Sequence, residues 1–377
     1  MQLTFMKKAL FPYLDVSLPR SMDPTVTISF QQGQPTLQIH DATLSLVVPF
    51  EGEFIEASPL TCTFSSLKKG LQAAKAKEPI QWAGLHLLQG GVSIGSVKPV
   101  APPPNPLSFA TSTDLGRWDG KALAASLFPL TLFHTNDPLH PWRSRVACSP
   151  HAQDVQITTS DGIHLACWTT YRTHPVSGVS SPFGFSNTLF ALGLKWISLF
   201  STGILAYGDQ QMTFRTSPTS YLLLQGEPCS FPPLLLPQGT TSCTFMLNPF
   251  QEGKKIVPFE KKYQETLRAY RDATLTTYED LEITFEVTPA TPQYWTVTTK
   301  VRHGQAPWTP LLTTTSPFFH GTIPPSLLPA YPVGKALGAM EDITSLQYTE
   351  HGLHLVRAQT NVPITQTDVF LHGIRPS

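Results

Sequence analysis

The chain has 377 residues, more than a single hydrophobic core usually holds, so two or three domains are expected. Its 26 Lys and Arg are balanced by 26 Asp and Glu, which excludes a bulk electrostatic attraction to nucleic acid or anionic lipid and leaves room only for a local basic surface. The 36 prolines, which central strands and helix interiors reject, predict many loops and strand edges.

Strand patterns dominate the chain from its first domain to its end. Apolar and polar residues alternate, with many β-branched and aromatic side chains, which is typical of half-buried strands. The alternating stretches are residues 25–30, 36–48, 154–172, 211–225, 281–289, 294–302 and 352–360. The sequence therefore predicts a sheet-rich protein with hairpin turns between neighbouring strands.

Six segments instead have apolar residues at helical spacing. They are residues 5–14, 65–77, 119–130, 186–200, 259–275 and 325–340. Ser65, Asp119 and Ser186 stand where an N-cap residue would, because their side chains can accept a hydrogen bond from the first turn. Pro329 and Pro332 predict that the last helix is short or broken.

These helices form two series with nearly the same spacing. The first series centres near residues 9, 124 and 266, and the second near residues 71, 193 and 333. Two independent markers that advance together indicate an internal repeat whose sequence identity has been lost. We therefore expect three similar α+β domains, at residues 1–110, 111–238 and 239–377.

No stretch indicates an enzyme. Residues 91–95, GVSIG, match the G-x-S-x-G pattern, but a nucleophile elbow needs a helix directly after the Ser, and the Pro-rich residues 98–106 that follow cannot supply one. Asp161 and His164 could form an acid/base pair, yet a glycine turn between two strands explains both without chemistry. We expect no catalytic residue.

Cysteine and histidine usage predicts neither disulfides nor a metal site. The five cysteines are widely spaced without a C-x-x-C pair, which is typical of free, buried thiols in a reducing compartment. The histidines lack the spacing of metal ligands, so no metal or cofactor is predicted. Because no run of about 18 apolar residues and no signal-peptide pattern occurs, we expect a soluble, cytoplasmic protein without membrane contact.

Three stretches carry a resemblance to a known family. Residues 160–166, SDGIHLA, follow a strand where the family has roughly T-D-G-H-R-L-A. Residues 222–239 contain the Gly, the aromatic-Pro run and the Leu-Pro that end the family's middle domain, and the last strand finishes with Ile374 and Arg375 in the matching place. With the threefold layout, the chain resembles the bacterial DNA sliding clamps, the beta subunits of DNA polymerase III.

The resemblance implies a DNA-clamp fold and a topological function. Each of three α+β domains would place two helices in front of antiparallel sheets. Two chains would form a head-to-tail homodimeric ring around duplex DNA, without catalysing a reaction, and would tether DNA polymerase, a clamp loader and repair proteins. Two alternatives stay open: a clamp paralogue that acts as a monomeric protein-binding module, and a β-rich phage structural or adhesin protein.

The resemblance also implies two binding surfaces. A pocket for short apolar peptides would comprise Trp142, Ser160, Gly162, Ile163, His164, Leu165, Cys229, Leu234, Leu235, Phe370, Leu371, His372, Gly373, Ile374 and Arg375. Without the resemblance, the apolar members are typical of ordinary core. Sequence-independent phosphate contacts would come from Lys7, Lys8, Lys68, Lys69, Lys75, Lys77, Lys121, Lys195, Lys261, Lys262, Arg268, Arg271 and Lys335, for which a solvated helix face is the alternative.

Overall fold

The computed structural model describes the protein over most of its length. The described residues are 2–19, 22–56, 59–102, 107, 113–137, 139–171, 181–229, 241–324, 327–340, 343, 345–349, 351–359 and 364–373. The chain divides into two compact units, residues 1–124 with 178–229 and residues 125–177 with 230–377. The division into three domains, which nothing in this partition tests, stays a prediction.

Six α-helices lie in the described part of the chain, one at each predicted position. They are α1 (Lys7–Leu14), α2 (Phe64–Ala73), α3 (Gly120–Leu127), α4 (Asn187–Ile197), α5 (Phe259–Thr274) and α6 (Ala330–Ala339). Asp119 and Ser186 accept hydrogen bonds from the first turns of α3 and α4, at 2.9 and 3.2 Å, as predicted. The prediction for Ser65 is wrong, because α2 begins one residue earlier and Thr63 accepts the N–H of Ser66 instead.

Several helix ends differ from the prediction; for example, α4 ends at Ile197 and α6 begins at Ala330. Residues 5 and 6 belong to a strand, so α1 begins at Lys7. Ala74 has extended backbone angles and ends α2, which leaves Lys75 and Lys77 in the turn beyond it. A 3₁₀ turn at Phe128–Thr131 replaces the last part of the predicted third helix, because Pro129 lacks the N–H that would continue it.

The strand pairs with a defined register are antiparallel. The first third of the chain contains β1 (Gln2–Met6), β2 (Thr25–Gln31), β3 (Gln34–His40), β4 (Leu44–Pro49), β5 (Gly52–Glu56), β6 (Leu60–Thr63), β7 (Pro79–Ala83), β8 (His86–Gln89) and β9 (Val92–Ser96). The middle third contains β10 (Thr113–Asp119), β11 (Arg145–Pro150), β12 (Asp154–Ser160), β13 (Leu165–Tyr171), β14 (Phe183–Ser186), β15 (Thr202–Gly208), β16 (Gln211–Ser217), β17 (Ser220–Gln225) and β18 (Glu227–Pro228). The last third contains β19 (Thr241–Phe245), β20 (Phe250–Glu252), β21 (Lys255–Val257), β22 (Leu281–Thr291), β23 (Tyr294–His303), β24 (Thr309–Ser316), β25 (Phe319–Gly321), β26 (Leu328–Pro329), β27 (Ser345–Thr349), β28 (Gly352–Gln359) and β29 (Thr365–His372). Among the antiparallel pairs are β1–β5, β10–β15, β12–β13, β2–β3, β22–β23 and β28–β29.

The first unit contains a five-stranded sheet, β5-β1-β7-β8-β9, and an eight-stranded sheet, β10-β15-β16-β17-β4-β3-β2-β6. In the larger sheet β17 pairs with β4, from Tyr221 opposite Val47 to Leu224 opposite Leu44. This pairing joins strands of the predicted first and middle domains through main-chain hydrogen bonds. Fully buried Trp196 strengthens the same unit, since its Nε1–H donates to the carbonyl of Tyr13 at 2.9 Å.

The second unit repeats this arrangement. Eight strands follow the order β11-β12-β13-β29-β28-β27-β19-β25, and a further sheet has the order β24-β23-β22-β26. Here β13 pairs with β29, from Leu165 opposite Phe370 to Thr170 opposite Thr365. Helices α5 and α6 pack together around buried Tyr263, whose hydroxyl donates to the carbonyl of Ala330 at 3.2 Å.

A glycine contact explains the GVSIG stretch. Ser93 lies inside β9 rather than at a strand-to-helix turn, so it is not a nucleophile elbow. A Cβ atom on Gly95 would lie 2.9 Å from the Cα atom of Gly70 in α2. Helix and strand therefore touch main chain to main chain at this point.

Gly95→Ala should destabilise the protein by about 1–3 kcal/mol, because the added methyl group forces α2 away from β9. The free energy of unfolding in urea measures the change. Ser93→Ala, on an exposed position of the same strand, is the matched control and should stay within about 0.5 kcal/mol of wild type. Equal values for the two variants would contradict the packing argument.

Candidate partner-binding site

The turn between β12 and β13 is held by its own side chains. The Oδ1 atom of Asp161 accepts the N–H groups of Ile163 and His164 at 2.8 and 2.7 Å. The Ser160 hydroxyl accepts the Gly162 N–H at 3.0 Å and donates to the His164 carbonyl at 2.7 Å. Gly162 has a φ of +95°, a conformation that side chains oppose. The Asp161 carboxylate therefore fixes a loop, and it does not serve the His164 ring as an acid/base partner.

Arg143 lies directly against this turn. A Cβ atom on Gly162 would come within 2.6 Å of the Arg143 Cζ atom. The Nη1 atom of Arg143 donates to Asp137 Oδ2 at 2.9 Å, the His140 Nδ1 atom lies 2.9 Å from the same oxygen, and the guanidinium faces the Trp142 ring at 5.3 Å. The hydrogen bond from His140 is the main reason that the pKa of the Asp137 carboxyl lies below its ordinary value, and the Arg143 charge acts in the same direction.

The end of the last strand meets the turn. The His164 Nδ1 atom accepts the backbone N–H of His372 at 3.2 Å. The His164 ring also packs against Phe133, with ring centroids 5.4 Å apart. Burial is the main cause that lowers the pKa of His164; the Asp161 charge raises this pKa and His372 lowers it further. The ring is therefore neutral at pH 7, as an acceptor must be.

The predicted pocket residues divide by accessibility. Leu165, Phe370 and Leu371 are buried, with 6%, 4% and 0% of their surface exposed, so they belong to the core beneath the turn. The exposed apolar group is Ile163, with 63% of its surface accessible, next to half-buried Trp142. The accessible members of the set that the fold brings together are Trp142, Gly162, Ile163, His164, His372 and Gly373.

For five of the predicted members, a place in the pocket stays a prediction. Cys229 belongs to the first unit, where its N–H donates to the Pro182 carbonyl at 3.4 Å. Leu234, Leu235, Ile374 and Arg375 lie outside the described residues. Conversely, Arg143, Asp137, Phe133 and His351 contribute to the site without having been predicted. No sequence pattern points to them, because tertiary folding alone brings them to the turn.

The predicted phosphate-contacting cations divide into three groups. Lys7 donates to the carbonyls of Gln72 and Ala74 at 3.3 and 2.9 Å, and Lys68 donates to the Val16 carbonyl at 2.7 Å. These two lysines satisfy local main-chain acceptors. Four others have side-chain neighbours: Lys75 with Glu78, Lys262 with Glu252, Arg271 with Asp272 and Tyr278, and Lys335 with Tyr331. The remaining seven of the predicted cations are exposed and have no partner in the described part of the chain: Lys8, Lys69, Lys77, Lys121, Lys195, Lys261 and Arg268.

The cysteines are free, as predicted, and all except half-buried Cys229 are buried. Burial raises the pKa of Cys62 to about 12 and the pKa values of Cys167 and Cys243 to about 11, which keeps these thiols protonated and unreactive. Within the described residues, no group of three His, Cys, Asp or Glu side chains could hold a metal ion. None of the helices described here has both the length and the apolar character of a membrane span.

Solved structures of bacterial sliding clamps match the chain over its full length. The sliding clamp (DNA polymerase III subunit beta) of Pseudomonas aeruginosa, bound to griselimycin, gives a TM-score of 0.69 at 11% identity with 100% of both chains covered. The beta subunit from the DNA polymerase of Streptococcus pyogenes gives 0.69 at 11% identity with the same coverage. The beta chain of DNA polymerase III from Streptococcus pneumoniae gives 0.67 at 12% identity, again over 100% of both chains.

These likenesses define the fold as the DNA-clamp fold, which confirms the predicted α+β class. The bacterial DNA polymerase III beta clamps, which the sequence resembles, are thus structural neighbours of this chain. No protein-family model matches the sequence, and no curated protein matches it. The alternative of an unrelated phage structural or adhesin protein does not fit this fold or the recurring helix pairs.

Gly162→Ala should destabilise the protein more than Gly33→Ala. Both glycines have left-handed backbone angles, with φ of +95° and +84°, so each substitution costs about 1–2 kcal/mol in backbone strain. Only at Gly162 does the new methyl group meet a side chain, that of Arg143, whereas nothing lies within 4 Å at Gly33. We expect an additional loss of up to about 1 kcal/mol at Gly162 in urea unfolding, because the flexible end of Arg143 can move aside but would then leave Asp137 Oδ2. Equal losses would show that Arg143 does not support the turn.

Proposed function

We propose that the protein is a DNA sliding clamp that encircles duplex DNA as a homodimeric ring and tethers replication and repair proteins through the site around Ile163. The ring is supported by a pattern of strand pairing. The chain forms two pairs of this pattern within itself, and the strands of a third such pair have no partner of this kind in the part of the chain that the structure describes. In this proposal the protein catalyses no reaction. A closed ring stays on DNA because the two are topologically linked, and it keeps the proteins bound to it on the DNA.

The pattern concerns three-stranded meanders. Each predicted domain has one meander after its first helix, β2-β3-β4, β11-β12-β13 and β22-β23-β24, and one after its second helix, β7-β8-β9, β15-β16-β17 and β27-β28-β29. The last strand of the first kind pairs with the last strand of the second kind in the next domain, as β4 with β17 and β13 with β29. Continuing the pattern pairs β24 with β9 of another chain.

Strand edges support this continuation. Among the described residues, β24 and β9 are each the outermost strand of their sheet, so one side of each strand has no strand partner. β24 leaves Leu311 and Leu312 half exposed, whereas its counterpart β4, which is paired on both sides, buries Leu44 and Leu46 completely. Unpaired edges invite association, and a second copy of the chain would cover both.

One feature favours the alternative of a monomeric protein-binding module. Asn248 donates its N–H to the Thr315 carbonyl at 3.0 Å and its carbonyl accepts from the Thr314 hydroxyl at 2.8 Å, which covers one end of the β24 edge. Pro310, near the other end, has no N–H to offer. Both features make pairing at the edge of β24 less favourable. The ring and the monomeric module therefore differ in whether residues 309–313 pair with another chain.

The ring predicts a mass of two chains in light scattering that persists on dilution, and retention on nicked circular DNA that is lost when the DNA is cut. Leu311→Asp should reduce both, because it places a charge on the β24 edge. Thr296→Asp, in the central strand β23 of the same sheet, is the control and should retain both properties. A mass of one chain at every concentration would exclude a self-assembled ring and favour the monomeric module.

Phosphate attraction in such a ring needs only scattered cations, because a sliding protein must not read bases. The partnerless Lys8, Lys69, Lys77, Lys121, Lys195, Lys261 and Arg268 are the candidates, whereas Lys7 and Lys68 already serve main-chain acceptors. A zero net charge is compatible with this role, since linkage rather than affinity holds the ring.

Partner docking would use an apolar anchor beside a rigid polar framework. Ile163 supplies the exposed apolar surface, Trp142 the neighbouring aromatic ring, and the hydrogen-bonded turn keeps both in place. A short peptide with Leu and Phe anchors suits such a surface. We include polymerases, clamp loaders and repair factors in the proposal as proteins that would present such peptides in the cytoplasm.

Ile163→Asp should weaken binding of a fluorescein-labelled peptide carrying adjacent Leu and Phe residues by roughly tenfold or more, because it replaces the apolar contact with a charge. Fluorescence anisotropy measures the affinity. Ile256→Asp alters an equally exposed isoleucine in β21, with 71% of its surface accessible, and should leave binding unchanged. Equal effects at both positions, or none at Ile163, would exclude the turn as the docking site.

A further inference from the structure

Three histidines connect three separate segments of the second unit. His164 lies in the β12–β13 turn, His351 in the turn between β27 and β28, and His372 at the end of β29. The His372 N–H donates to His164 Nδ1 at 3.2 Å, while the His372 side chain bonds through Nδ1 to the His351 carbonyl at 2.8 Å. The Gly373 N–H donates to the same carbonyl at 2.7 Å. The last described residues of the chain are thus held from two sides.

The three bonds differ in what they require of the ring involved. His372 donates through its side chain, and a protonated ring donates equally well. The Gly373 bond uses main-chain atoms alone. The His164 bond needs an unprotonated Nδ1 atom, because a protonated ring has no acceptor. His164 is therefore the link in this set whose hydrogen bond depends on its protonation state.

The His164 ring has little freedom to choose another partner. Its backbone N–H is bound to Asp161 Oδ1 at 2.7 Å, and its ring packs against Phe133 at 5.4 Å. The adjacent residue Ile163 is the exposed apolar group of the proposed docking surface. Loss of the hydrogen bond between His164 Nδ1 and the His372 N–H would thus affect both the end of β29 and the proposed docking surface next to Ile163.

We propose that His164, through its unprotonated Nδ1 atom, is the positioning residue that fastens the end of the last strand to the β12–β13 turn and so sets one wall of the peptide site. This proposal rests on the proposed docking function only for its effect on peptide binding. We call the hydrogen bond from the His372 N–H to His164 Nδ1 the clasp. The ligand is the same apolar peptide, and its affinity is expected to fall when acid breaks the clasp.

The charged and titratable groups around the ring determine the direction of the pH effect. Burial lowers the His164 pKa most, Asp161 on the same turn raises it, and His372 on β29 lowers it. Arg143 lies next to Gly162 and is neutralised in part by Asp137, and His351 takes part through its carbonyl. The folded-state pKa lies below the unfolded value of about 6.5, so the clasp is complete above that pH and is lost as the pH falls through the folded-state pKa.

Amide hydrogen exchange at His372, corrected for the intrinsic pH dependence and measured from pH 8 to pH 4, tests the clasp without any peptide. The wild-type protection factor should fall by roughly three- to tenfold as His164 becomes protonated. His164→Asn keeps an acceptor oxygen near the position of Nδ1 and should hold its protection across the range. His164→Phe keeps a ring without an acceptor and should show the low value at every pH.

The effect on docking is measured with the same three proteins and the labelled Leu-Phe peptide. Its affinity should follow the exchange data: it should fall in acid for wild type, vary less for His164→Asn, and stay low for His164→Phe. His320→Asn, an exposed histidine of β25 in the same unit, is the control and should behave like wild type.

The outcomes separate the two proposals. Identical protection of His372 in all proteins would overturn the clasp. Protection that changes as expected while peptide affinity does not would overturn its role in docking. A wild-type protein that binds no peptide at any pH, yet shows the expected exchange pattern, would refute the docking function and leave the clasp intact.

Discussion

Main-chain pairing between distant strands is the constraint on which the rest of the structure depends. The pairs β4–β17 and β13–β29 join sheets that belong to successive predicted domains, and each satisfies N–H and C=O groups that would otherwise form an open edge. The second pair also creates the candidate site. It brings Leu165 opposite Phe370, which places the Ser160–His164 turn beside the end of the last strand. The proposed docking surface and the joint between the predicted domains are therefore parts of one sheet.

Several polar groups of this site are engaged in hydrogen bonds that fix its geometry. Asp161 and Ser160 are occupied within the turn, and Asp137 is occupied by Arg143 and His140. The accessible surface includes the apolar side chain of Ile163 on a rigid frame, an arrangement that suits recognition of a peptide. This arrangement agrees with the proposed function, in which the protein acts by staying linked to DNA.

Sequence periodicity predicted the helices well, because apolar residues at helical spacing mark one buried face. It missed helix ends where a short strand or an extended residue intervenes, as at Ala74. The turn at Asp161–Gly162 was predictable from local chemistry. The residues that contact the turn could not be predicted. Alternation of apolar and polar residues shows which face of a strand is buried, but not which other strand it pairs with. Arg143 and His351 reach the site only because the strands pair as they do in the folded protein. The burial of Phe370 follows from the same pairing.

Joints made of peptide groups tolerate almost any side chain, which accounts for a shared architecture with the Pseudomonas aeruginosa protein at 11% identity. The contact between Gly70 and Gly95 is the opposite case. There the two backbones touch: a methyl group added at Gly95 would meet the Gly70 Cα atom, whereas one added at Gly70 would meet the Leu87 side chain. Replacement of Gly95 by any larger residue in the course of evolution therefore requires a compensating shift of α2.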